Sequence, residues 1–74
     1  MSAVSEKVVA LSRPYFGPAT ESFLARQCKS HLKIELTNLA QAQLKDLAKW
    51  VELGGGLIMD PAKAAEVAGK IAKT

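Results

Sequence analysis

Between Leu36 and Gly56 the chain reads LTNLAQAQLKDLAKWVELGGG. Leu36, Ala40, Leu44, Leu47 and Val51 return at the three- and four-residue steps of one helical face. Leu39, Ala48 and Trp50 widen that face. The spacing predicts an amphipathic helix from Asn38 to about Leu53. Asn38 suits the N-cap, and Gln41 three residues on can close a capping box. Gly54 can adopt the left-handed conformation that ends a helix. A stripe this wide has to be buried, so the remaining segments read as its cover.

A first helix is expected from Ser2 or Ser5 to about Arg13, with Val4, Val8, Leu11 and Tyr15 on one face and Val9 and Phe16 at its edge. Pro14 disfavours helical angles at Arg13, so the helix should kink or stop there. Tyr15-Phe16-Gly17-Pro18 then makes a tight corner. Gly17 permits an unusual backbone angle, and Pro18 suits a first helical turn. A second helix follows from about Pro18 to His31. Its apolar face is Phe23, Leu24, Cys28 and Leu32, beside Ala25, with Gln27 and His31 near it. Glu21 and Lys29 carry the charges that its two ends favour. Lys33 to Thr37 is a connector too short for a sheet. After the central helix, Leu57-Ile58-Met59 should tuck against the core as an apolar turn. Asp60-Pro61 marks a new helix start. The last helix, Ala62 to Lys73, should bury Ala64, Val67, Ala68 and Ile71 and pair Glu66 with Lys70 outside. Being short and terminal, it is expected to be the most mobile element. The fold class is all-α: one domain over residues 1–74, a compact bundle of three to four short helices.

Composition sharpens this picture. With 74 residues, 49% of them hydrophobic, the chain has the apolar content of a folded domain rather than a disordered one. So small a domain buries only about 60% of its unfolded surface, and apolar surface is expected to remain for a partner or a second copy. The net charge of +3 is mild, and no basic run suggests a nucleic-acid arm. One cysteine excludes an internal disulfide and a multi-cysteine metal site. No apolar run approaches the roughly 20 residues of a membrane span. The first residues lack the basic-then-apolar order of a signal peptide. A cytoplasmic location is the expectation.

Few residues carry chemistry. Cys28 and His31 are three apart on a helix, but two ligands do not close a zinc site. A thiolate–imidazole nucleophile needs further groups that the sequence does not offer. The plainer reading is a buried cysteine beside a histidine at a helix end. Gly54-Gly55-Gly56 lacks the Lys and Ser/Thr of a phosphate loop and the preceding strand, and reads as a helix stop. Arg26, Lys29 and Lys33 form a basic face that could contact phosphates, or could simply be solvated. Tyr15 and Trp50 are amphipathic rings suited to either a core or an interface. No paired carboxylates and no Ser/His/Asp set occur, so catalysis, a cofactor and a metal are not expected.

Tyr15-Phe16-Gly17-Pro18-Ala19, followed by an apolar helix with a basic outer side and then a Leu-rich helix, resembles a small helical accessory domain. That domain lies at the C-terminal end of some bacterial Ser/Thr kinases, cyclases and related signalling regulators, and its signature is an aromatic, an aliphatic, Gly-Pro and a small residue. The likeness covers roughly Val8 to Leu53. It implies a non-catalytic module and brings no catalytic residues. The expected function is therefore protein–protein interaction or self-association, through Tyr15, Phe16, Trp50, Leu57 and Met59. The alternative is a nucleic-acid-binding helical module that uses Arg26, Lys29 and Lys33.

Overall fold

The computed structural model describes residues 2–74. Helix α1 spans Ala3–Phe16. Ser2 is its N-cap: the Ser5 N–H donates to Ser2 Oγ at 3.1 Å. The helix does not stop at Arg13. Pro14 lies inside its last turn on the exposed side, where a missing donor and a bulky ring meet solvent rather than neighbours. The turn at Gly17 has φ 60° and ψ −135°, so the predicted corner forms where only glycine is unstrained. Residues Gly17–Ala19 make one 3-10 turn, and α2 runs over Thr20–Gln27. The predicted second helix then changes pitch: Cys28–Leu32 is a π turn, closed by Lys33 in the left-handed region at φ 60°.

The central helix begins six residues later than the hydrophobic spacing implies. Leu36–Asn38 and Gln41–Gln43 are separate 3-10 turns, and α3 occupies Leu44–Gly55. Asn38 is not its cap. The Thr37 carbonyl accepts the Ser2 N–H at 3.1 Å, and the Leu39 carbonyl accepts Ser2 Oγ–H at 2.8 Å. Both acceptors are thereby withdrawn from a helical ladder. Leu36 and Leu39 are buried all the same, while Ala40 is exposed. Gln43 reaches back instead, its Oε1 accepting the Ala40 N–H at 3.0 Å.

The end of α3 also differs. Gly54 does not terminate it, and Gly56 at φ −65° keeps right-handed angles. The tight turn 56–60 leads into α4, Pro61–Ala72, capped by Asp60 Oδ1 accepting the Ala62 N–H at 2.9 Å. Helices α3 and α4 share the most extensive packing, α1 lies across α4 and α2, and α2 closes on α3. Val8, Leu24, Cys28, Leu44, Leu47, Val51, Val67 and Ile71 form the centre of one continuous core. Ala64, Val67, Ala68 and Ile71 are all buried, so α4 is docked along its whole length and completes the core. The protein is a small all-α bundle.

Candidate functional site

The C-terminal end of α3 leaves apolar side chains in water. Leu53 is 56% exposed, Ile58 66% and Leu57 87%. Leu57 and Ile58 therefore do not tuck against the core. The backbone of their turn is held on the helix end by Leu57 N–H to the Gly54 carbonyl (3.2 Å), and by Ile58 and Met59 N–H to the Gly55 carbonyl (3.1 and 2.9 Å). The interior at this level is already filled. A Cβ on Gly55 would lie 3.2 Å from Ala64 Cβ and 3.6 Å from the Phe16 ring. Leu57 and Ile58 project outward as a ridge, and of the three apolar residues in this turn only Met59 is half-buried.

Beside the ridge runs a groove of about 360 Å³. Ala19, Phe23 and Gln27 come from the side of α2, Gly54 forms its floor, and Leu57 and Ile58 form one wall. Arg26 is the one charged residue among its lining. Phe23 stacks on Phe16 with centroids 4.5 Å apart and planes at 21°. Gly54 lets this side of α2 approach: a Cβ there would be 3.2 Å from Gln27 Nε2 and 3.4 Å from the Phe23 ring.

The five residues expected to bind a partner are divided. Leu57 lines this groove. Tyr15 and Met59 line another, of about 450 Å³, with Leu11, Pro14, Lys63 and Glu66. There the Tyr15 hydroxyl donates to a Glu66 carboxylate oxygen, and Lys70 Nζ lies 5.1 Å from the Tyr15 ring centroid. Glu66 and Lys70 thus both engage Tyr15; the direct pair expected between them is not among the ion pairs. That hydroxyl, helped by Lys63 and Lys70, holds the Glu66 carboxyl below its ordinary range. The same hydroxyl is the main reason the Lys70 ammonium titrates above its own. Phe16 is half-buried under Phe23. Trp50 lines neither groove; its ring stacks on His31 at 3.8 Å and 4°, with Lys49 Nζ 5.4 Å from the centroid.

The spacing of the chain showed neither Ile58 nor Leu53 as part of the site. Leu53 was legible in principle: two residues past Val51, it falls on the face opposite the buried stripe.

Cys28 and His31 do not form a site together. Cys28 is in the core, where burial pushes its thiol up, whereas His31 is exposed on Trp50. Among the described residues no three His, Cys, Asp or Glu side chains converge as metal ligands. The basic residues are divided as well. Lys29 and Lys33 flank a depression that also contains Glu35 and Asn38, and Arg26 belongs to the apolar groove. No helix among the described residues is long and apolar enough to cross a membrane. No family model, no curated protein and no solved structure matches the chain.

Proposed function

We propose that this chain is a non-catalytic docking module that binds a protein partner through the ridge of Leu53, Leu57 and Ile58 and the groove beside it. The observation that carries the reading is the exposure of two large aliphatic side chains, Leu57 and Ile58, in the lining of an apolar recess, with exposed Leu53 one turn earlier in the chain. An apolar patch of some hundreds of Å² is about as much as a monomer ordinarily leaves in water, and such patches mark interaction sites. Arg26 at the rim would tune which partner is accepted, while the buried aliphatic anchors supply most of the affinity. The likeness of Val8 to Leu53 to the accessory domain of bacterial signalling regulators supports the same kind of role, in the cytoplasm. The nucleic-acid reading draws less support, because Lys29 and Lys33 share their depression with Glu35, Arg26 lines the apolar groove, and the net charge is only +3.

The test is photo-crosslinking in cells, with a photoreactive side chain placed at position 57 or, as a control, at exposed Lys45 on α3. A covalent protein adduct at position 57 and none at position 45 is expected. Absence of an adduct at position 57 would remove the docking reading.

A further inference from the structure

The recess between α1 and α4 shares no lining residue with the groove beside the ridge. Its volume of about 450 Å³ falls in the range of small-molecule sites, roughly 300–1,000 Å³. Apolar lining comes from Leu11 and Pro14 on α1 and from Met59 in the turn before α4. Charged lining comes from α4, where Lys63, Glu66 and Lys70 follow at three- and four-residue steps on one helical face. Three of the polar groups here are already engaged with one another. The Tyr15 hydroxyl donates to Glu66, and Lys70 lies over the Tyr15 ring. Lys63 stands apart from them and makes no ion pair among the described residues. From this arrangement we infer that the recess binds a small amphiphilic monocarboxylate, its headgroup at Lys63 and its apolar chain along Leu11, Pro14 and Met59. The inference goes beyond the docking reading above and does not depend on it.

Charge sets the sign of the ligand. Two ammonium groups line the recess against one carboxylate, a surplus of one positive charge. The Glu66 carboxylate would repel an incoming anion, but its own charge is already answered by the Tyr15 hydroxyl, Lys63 and Lys70. Lys63 stands in the first turn of α4, where the helix macrodipole favours negative charge and disfavours a cation. An anion beside Lys63 relieves that mismatch. One negative charge meets the surplus, whereas a dianion such as a phosphate monoester exceeds it. The apolar chain sets the strength. Each methylene taken out of water tightens binding by up to about fourfold, while an exposed ion pair contributes only about two- to fivefold in all. A headgroup alone therefore binds weakly, and affinity climbs with chain length until Leu11, Pro14 and Met59 are covered.

The test is titration of the full chain with butanoate, hexanoate and octanoate, with octylamine as the cationic counterpart. Binding is followed by NMR at the Met59 methyl and at the Lys63 and Glu66 amides. Lys63→Gln and Glu66→Gln are the variants; both positions are exposed, and the unliganded spectra confirm that each variant folds. The expected result is a saturable shift at these three residues that tightens by up to about fourfold per added methylene and is absent with octylamine. Lys63→Gln should weaken octanoate about two- to fivefold, and Glu66→Gln, which removes the repelling carboxylate, should tighten it by a similar factor. No saturable shift at these residues, shifts centred on Leu57 and Ile58 instead, or equal binding of octylamine overturns the inference. Variants that leave octanoate affinity unchanged would reduce the event to unselective apolar contact and overturn it as well.

Discussion

Ser5, Ser12 and Thr20 are fully buried hydroxyls, and their surroundings differ. Ser5 Oγ–H donates to the Ser2 carbonyl at 2.9 Å, and Thr20 Oγ1–H to the Gly17 carbonyl at 2.6 Å. Ser12 Oγ has no hydrogen-bond partner among the described residues. A buried hydroxyl without a hydrogen bond forfeits its hydration for nothing. Ser12→Ala should therefore leave stability unchanged or raise it by up to about 1 kcal/mol in urea unfolding; a loss of that size would show that the hydroxyl has a partner after all. The sequence hid these residues because serine counts as polar in any hydropathy pattern, yet Ser5, Val8 and Ser12 are spaced as one inward stripe. Glu66 offers a second test. Its carboxyl titrates below the ordinary range because Tyr15 donates to it. The resulting stabilisation is present above the ordinary glutamate range and is lost as pH falls through the lowered value. The Glu66 carboxyl resonance should move back up in pH when Tyr15 is replaced by Phe. An unchanged titration would assign the shift to Lys63 and Lys70.

At the scale of elements, the two glycines near the end of α3 act by closeness rather than by backbone freedom. Gly55 faces Ala64 so tightly that an added methyl would sit 3.2 Å from its Cβ, whereas Gly69 in α4 has nothing within 4 Å. The same substitution should therefore have opposite signs. Gly69→Ala gains about 0.5–1 kcal/mol from helix propensity, and Gly55→Ala loses more than that gain by pushing α3 off α4. Thermal melts of the two variants decide it, and a stabilising Gly55→Ala would show that the helices have slack. Lys33 is the complementary case, a side chain in left-handed backbone. Lys33→Gly should raise stability by about 1 kcal/mol, read in the same melts. The start and end of α4 and its buried residues were legible because a Pro at the first turn, an Asp cap and a clean stripe agree. The start of α3 was not. Leu36, Leu39 and Leu44 fit helical steps, but they are buried equally well by two tight turns. The deciding bonds, from Ser2 to the carbonyls of Thr37 and Leu39, come from more than thirty residues away.

For the molecule as a whole, the core is continuous and α4 is part of it. The expectation of a mobile last helix rested on length and position alone; burial of Ala64, Val67, Ala68 and Ile71 ties it down. Ile71→Ala should cost about 2–5 kcal/mol, a large share of the roughly 4–11 kcal/mol that a chain of this size commands, and should lower the midpoint of one cooperative transition. A separate early transition for α4 would contradict this. The site was half legible: Leu57 and the surplus of apolar residues pointed to it, but its groove depends on α2 meeting α3 at Gly54, which no local pattern encodes. The most extensive packing also joins helices adjacent in the chain, α3 and α4. Contacts between sequence neighbours close short loops, so they form early and favour fast folding. The pair should assemble first and serve as the nucleus onto which α1 and α2 condense. Its connecting turn carries Leu57 and Ile58, while the α2 wall of the groove arrives later. During folding, then, the ridge is on display before the recess beside it exists, and its aliphatic side chains meet water first without the apolar wall that later flanks them.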